Sequence, residues 1–286
     1  MSATTGAIAV PLRVRLRLGR AAVQVLAAGA GVDLLHIKGD AVDRRLRPEG
    51  STGTDIDVLV RPGHLRSLDE ALTGHGWSVY STFRNGSPFG HAQTYTHADW
   101  GYLDVHRSFP GIGLDPAAAF EALWRDRTSA DFGGVACATP NTTGQALILI
   151  LNAARAPQGA AYDMPAAWEG AGDDERAALR SLAGDFDAET AFAAAIGELD
   201  RHREKRDYLL WKAVSSDGTR AQEWWGRVRA APTPRAAVSV LLRAPRVNIE
   251  HLAHELGRAP TAAEIVREFF ARPARGIREL FRRRTR

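Results

Sequence analysis

The sequence predicts an α/β (α+β) fold, a mixed sheet flanked by helices and followed by a mainly helical C-terminal region. Three observations carry the layered part of that prediction. Up to about residue 140, short strand-like runs alternate with helical ones and glycines are frequent. Beyond it the chain is rich in Ala, Arg, Glu and Leu and punctuated by Pro232, Pro234, Pro245, Pro260 and Pro273. The 286 residues are 45% hydrophobic and 24% charged, enough to bury a core. The expected division is a mixed-sheet unit over 1–140 and a helical unit over 141–286.

Taken in order, the periodicity predicts a helix over 12–29. Arg13, Arg15, Arg17 and Arg20 ahead of 21–28 loosely imitate a secretion signal. Gln24 and the run into Asp33-Leu34-Leu35-His36-Ile37-Lys38-Gly39 favour an amphipathic first helix instead. Strands follow at Leu34–Ile37, ending at Gly39, and at 56–60, closed by Arg61-Pro62-Gly63. A helix is expected over 63–74, then strands over 77–80, 93–96 and 102–106, the last two joined by a turn at Asp99-Trp100-Gly101. The stretch 134–138 reads as a buried strand. Asn141 opens a helix over Thr142–Arg155, and further helices are expected over 173–183, 187–213, 219–230, 235–243, 248–256 and 261–271.

Composition bounds the function only loosely. Against 33 acidic residues stand 37 basic ones, so the formal net charge is +4. That suits a nucleotide and does not favour bulk nucleic-acid binding. The single cysteine, Cys137, can form no intramolecular disulfide, so a reducing cytoplasmic setting is expected, with the thiol packed and inert. No stretch is long and apolar enough to span a bilayer. The basic run Arg272, Arg275, Arg278, Arg282, Arg283, Arg284 and Arg286, around Ile277, Leu280 and Phe281, is expected to be a short docking helix peripheral to any chemistry.

The sharpest feature is Thr54-Asp55-Ile56-Asp57-Val58-Leu59-Val60. Two acids at i and i+2 on a strand share a face, and two carboxylates that close raise each other's pKa unless a cation sits with them. Mg²⁺ takes such oxygen ligands, together with phosphate oxygens and water. Taken alone, the pair fits a turn acid capping a strand, with Asp57 facing solvent, better than a metal site. In Tyr102-Leu103-Asp104-Val105-His106, Asp104 and His106 share the second strand's polar face. If the two strands are neighbours, three carboxylates converge, an arrangement that holds two divalent ions for in-line displacement at phosphorus. Asp99 competes with Asp104 but reads as a turn residue. His106 is either a hydrogen-bond donor to a phosphate or a partly exposed strand histidine. Lys38-Gly39, at the end of a strand, lets backbone approach a phosphate and offers it an ammonium, although no Walker A loop is present.

His36-Ile37-Lys38-Gly39, Asp55-Ile56-Asp57-Val58-Leu59-Val60 and Leu103-Asp104-Val105-His106, in this order, resemble the uncharacterised bacterial nucleotidyltransferase family of the polymerase β-like superfamily. The helix Ala146-Leu147-Ile148-Leu149-Ile150-Leu151-Asn152-Ala153-Ala154-Arg155 resembles that family's apolar helix, and the likeness covers about residues 20–170. The resemblance implies transfer of a nucleoside monophosphate from an NTP to an acceptor, dependent on Mg²⁺ or Mn²⁺. It implies Asp55, Asp57 and Asp104 as metal ligands, with Asp104 also taking or orienting the acceptor's proton. It implies Lys38, Gly39 and His106 at the nucleotide. The acceptor is an unknown hydroxyl on a small molecule, a peptide or protein, or an RNA; the alternative is a catalytically weak relative serving as a nucleotide-sensing or interaction module. Gly39 is followed by Asp40 where many members have serine. Ser51-Thr52-Gly53-Thr54 fills a stretch where the family often has arginine, and the nearest arginine is Arg47.

Overall fold

The computed structural model describes residues 10–47, 53–83, 89–216 and 218–243, with 252, 256, 258–269 and 271 beyond them. The first helix, α1 (Leu12–Gly29), buries Leu16, Arg20, Val23 and Ala27, a three-to-four residue spacing that defines one face. It stops where Gly31 takes φ 66° and Val32 N donates back to the Ala27 carbonyl at 2.8 Å. Chain reversal there feeds β1 (Leu34–Ile37) into a sheet completed by β2 (Asp55–Val60), β3 (Ser78–Ser81), β4 (Ala92–His97) and β5 (Gly101–His106). The strand order is β1-β2-β5-β4-β3, with β2 and β5 parallel and the other pairs antiparallel. A parallel pair requires a crossover. Here it runs through α2 (Leu65–Thr73), β3 and β4.

Alternation divides the sheet into two faces. Leu34, Ile56, Val58, Val60, Leu103 and Val105 pack with Leu16 and Val23 of α1 and with Leu68 and Leu72 of α2. Leu35, Ile37 and Leu59 point the other way and join Phe109, α3 (Pro116–Arg125) and α4 (Thr142–Arg155). Every residue of α4 from Gly144 to Leu151 is buried, so this helix is surrounded on all sides. Between α3 and α4 runs a hairpin, β6 (Thr128–Phe132) and β7 (Val135–Thr139), which sets Phe132 and Cys137 against Ala21 of α1. The mixed sheet with flanking helices and a helical C-terminal region is the architecture the sequence predicts.

Beyond α4 come α5 (Pro157–Met164), α6 (Asp173–Asp185), α7 (Glu189–Ala195), α8 (Tyr208–Ser215), α9 (Arg220–Ala230) and α10 (Pro234–Arg243). One expectation fails here. The single helix over 187–213 is broken into α7, a 3₁₀ turn at Leu199–His202, and α8. Gly197 adopts φ 78° and Glu198 N donates to the Ala193 carbonyl at 2.8 Å, a left-handed helix stop hidden inside an apolar pattern. Of the helices expected beyond residue 245, 262–269 is helical; most of 248–256 and the basic run over 272–286 lie outside the described residues.

Candidate active site

The parallel register sets Asp57 directly beside Asp104. Asp55 lies two residues before Asp57 and His106 two after Asp104, so all four side chains share the α4-facing side of the sheet. Asp57, Asp104 and His106 each bring one ligand atom to within 4.8 Å of the others, a group able to hold a metal ion. Asp55 stands outside that closest group, at the end of the strand.

Asp57 is the most constrained of the acids. Its Oδ1 accepts from the Lys38 ammonium at 2.6 Å and pairs with His106 Nε2 at 3.0 Å. Burial pushes the Asp57 carboxyl up, but Lys38 and His106 together outweigh it and hold the group well below the usual carboxylate range. Among the described residues Asp55 has no such bonded partner. Burial first, and the charge of Asp57 second, push it up to about 6. Asp104 accepts from Thr94 Oγ1 at 2.6 Å, across the antiparallel β4–β5 register.

His106 is 1% exposed and turns inward, so it serves Asp57 rather than standing as an outward strand histidine. Burial lowers its pKa; Nε2–H donates to the ionised Asp57, and Nδ1 is buried without a hydrogen-bond partner among the described residues. The ring lies between His91, at 5.2 Å between centroids, and Phe109, stacked at 5.9 Å.

Lys38 occupies φ 54°, ψ −172°, a region nearly reserved for glycine and costing about 1–3 kcal/mol elsewhere in proteins. The conformation is clamped by a residue the motifs do not contain. Buried Arg20 of α1 donates from Nη2 to the Lys38 carbonyl at 3.3 Å and from Nη1 to the Asp57 carbonyl at 3.4 Å. Gly39 has φ 54°, and a Cβ there would run into the Arg20 guanidinium. Glycine is therefore required twice, by its dihedral and by the arginine beside it. Asp40 is tied to Arg13 Nε at 3.3 Å and to Arg17 Nη1 at 3.8 Å. Arg47 is not at the acids; it grips Asp163 of α5 at 2.8 and 2.5 Å. Asp99 sits in the β4–β5 turn with its side chain 79% exposed.

Two cavities adjoin the Gly39–Asp40 segment. One of about 200 Å³ is lined by Leu12, Leu16, Arg20, Gly53 and Asp55. The other, about 210 Å³, opens between α1, the segment after Gly39 and the β6–β7 hairpin, and the two share Arg13, Gly39 and Asp40. Sequence reasoning missed Arg20, His91, Thr94 and Arg155 around the acids. Thr94 alone carried a signal, since the alternation of its strand puts it on one face with Ala92.

No protein-family model matches the chain, and no curated protein matches it in sequence. Among solved structures it is similar to the solution structure of the antibiotic-resistance factor ANT(2'')-Ia, at 14% identity and a TM-score of 0.38, over 66% of this chain and 93% of that one. A likeness of that size carries no argument about function.

Proposed function

We propose that the chain is a metal-dependent nucleotidyltransferase that moves a nucleoside monophosphate from an NTP to an acceptor hydroxyl. The observation that supports this most is the Asp57–Asp104 register: two carboxylates on adjacent parallel strands, a third acid two residues away, and a lysine ammonium already bonded to the central one. Carboxylate oxygens in this number fit Mg²⁺, and the imidazole of His106 beside them also admits Mn²⁺. Asp57 and Asp104, with Asp55 at the open end, would hold the ion, which supplies Lewis-acid stabilisation of phosphate oxygens.

The chain's own residues would do the remaining work. Lys38 pairs with phosphate oxygens, and Gly39 lets the backbone come close to them. His106 fixes Asp57. Thr94 fixes Asp104, whose carboxylate receives or orients the proton of the acceptor hydroxyl. The hydroxyl oxygen bonds to the α-phosphorus as the bond to the bridging oxygen breaks, and pyrophosphate leaves. The division near residue 140, with the helical part shaping the acceptor side, belongs to the same proposal, as does a cytoplasmic setting. Among the described residues no helix is long and apolar enough to cross a membrane.

The test is pyrophosphate release from each NTP with Mg²⁺ or Mn²⁺ and a panel of hydroxyl acceptors. Wild type is expected to release it, and Asp57→Asn and Asp104→Asn to lose at least about a hundredfold in rate, the loss seen when a transition-state charge stabiliser is removed. A Mg–NTP thermal shift without turnover on any acceptor would leave the nucleotide-sensing module as the reading. No shift with any nucleotide would overturn both.

A further inference from the structure

Arg155 closes α4, and burial lowers the pKa of its guanidinium. A cation near a helix C-terminus is ordinary. A desolvated one is not, unless a carboxylate compensates it. Arg155 has two neutral partners instead: Nη1 meets His91 Nε2 at 2.8 Å, and Nη2 donates to Asn152 Oδ1 at 3.1 Å. Arginine can only donate, so His91 Nε2 is the unprotonated acceptor and the ring adds no charge. No ion pair to Arg155 exists among the described residues. The acids whose charge reaches it are Asp57 and Asp104. Its partners therefore aim the guanidinium without neutralising it, and they use two of its five N–H donors.

Placement supplies the second half of the argument. In the sheet order β1-β2-β5-β4, Lys38 follows β1 and His91 precedes β4. Lys38 and the His91–Arg155 pair thus flank the acids from opposite sides. With phosphates on the Lys38–Gly39 side, the opposite flank is the β4 side, where His91 lies against His106 and Thr94 holds Asp104, the acid that meets the acceptor hydroxyl.

We propose that Arg155 is the anchor for an anionic group of the acceptor, so that the molecule modified is a hydroxyl compound bearing a carboxylate or phosphate. His91 and Asn152 are positioning residues for that anchor. This inference rests on the nucleotidyltransferase reading for the word acceptor, but its anion site is measurable separately.

Inorganic phosphate is the probe, titrated calorimetrically into the full chain with and without saturating Mg²⁺ and a non-hydrolysable ATP analogue. Phosphate is expected to bind with the analogue in place, and Arg155→Gln to weaken it about tenfold or more, the worth of hydrogen bonds to a charged group. Arg66→Gln, at an exposed arginine of α2, should leave that affinity within about twofold. Asn152→Ala, which keeps the guanidinium and removes one anchor, should give a smaller loss, and it decides the matter if Arg155→Gln does not fold. Equal phosphate affinity in wild type and the Arg155 and Asn152 variants overturns the proposal. So does phosphate binding that disappears once the analogue is bound, because Arg155 is then a ligand of the NTP. If wild type binds no analogue, the nucleotidyltransferase reading fails by itself, and the analogue-free titration still decides whether Arg155 holds an anion.

Discussion

The two faces of the five-stranded sheet come from the same strands, one residue apart, yet opposite physics holds them. Ile56, Val58, Leu103 and Val105 fill the face under α1 and α2 by apolar burial alone. Asp55, Asp57, Asp104 and His106 occupy the other, where burial works against the charges and specific partners must offset it. Within the polar face the offset is uneven. Asp57 is bonded to Lys38 and His106, whereas Asp55 is bonded to neither and feels the Lys38 charge only from farther off. The lesson is that an acid pair on one strand need not be uniformly strained: one member can be a stabilising ion-pair partner while its neighbour is the destabilised one.

The largest expected effect breaks the apolar face. Leu103→Ala should lower unfolding free energy by about 2–5 kcal/mol through the lost transfer energy and the cavity left behind. Urea unfolding should show a lower midpoint with an unchanged slope; a loss below about 1 kcal/mol would mean that this face repacks. Next, Asp57→Asn should cost about 1–3 kcal/mol at pH 7, because it leaves the Lys38 charge beside an amide; the range is reduced because Lys38 keeps some solvent. The folded carboxyl is depressed, so its contribution is present above the unfolded value of about 4 and is lost on acidification. Wild type and variant should therefore converge as the pH falls below that value, and curves parallel down to pH 2 would contradict the ion pair.

A smaller change, of opposite sign, sharpens the contrast. Asp55 is raised to about 6 in the fold. Its ionisation opposes folding from about pH 4 upward and does so fully above pH 6, so Asp55→Asn should match wild type near pH 4 and exceed it by about 1–2 kcal/mol at pH 7. With Mg²⁺ and an NTP at a hundredfold excess over Kd, wild type should gain roughly 2.7 kcal/mol that the variant largely lacks, reversing the order. Thermal unfolding at both pH values with and without ligand checks each sign. The smallest effect is expected at Asp99→Asn, within about 0.5 kcal/mol, as for an exposed turn acid remote from the site. A larger loss there would mean that the β4–β5 turn is part of the charged face.

Much of this was legible in the chain because the signals are local. The alternation in 102–106 predicts Asp104 and His106 on one face, and the bounds of α1 and α4 follow from their apolar periods and, for α4, the Asn141 cap. The α7–α8 break was not legible, since Gly197 terminates a helix only through a left-handed dihedral that composition does not reveal. Nor was the contrast between Asp55 and Asp57. Both read as strand acids; what separates them is His106, 49 residues from Asp57, and a lysine whose reach depends on a strained backbone. Arg155 and His91 are 64 positions apart, and nothing around either announces the other. Asp40 after Gly39 makes sense only once α1 brings Arg13 and Arg17 beside it.

The Arg20 clamp has a consequence for anyone who would transplant this site. One guanidinium joins the carbonyls of Lys38 and Asp57, so the ends of two strands are spliced from behind by a helix earlier in the chain. Grafting the Lys-Gly and Asp-x-Asp segments onto another scaffold would move the visible chemistry and leave the splice behind. The lysine would then relax out of its glycine-like conformation and the ammonium would leave the carboxylate. The smallest portable unit of this site therefore runs from α1 to β5, and a lysine at position 20, with its single ammonium, could not reproduce the planar fork that spans two carbonyls.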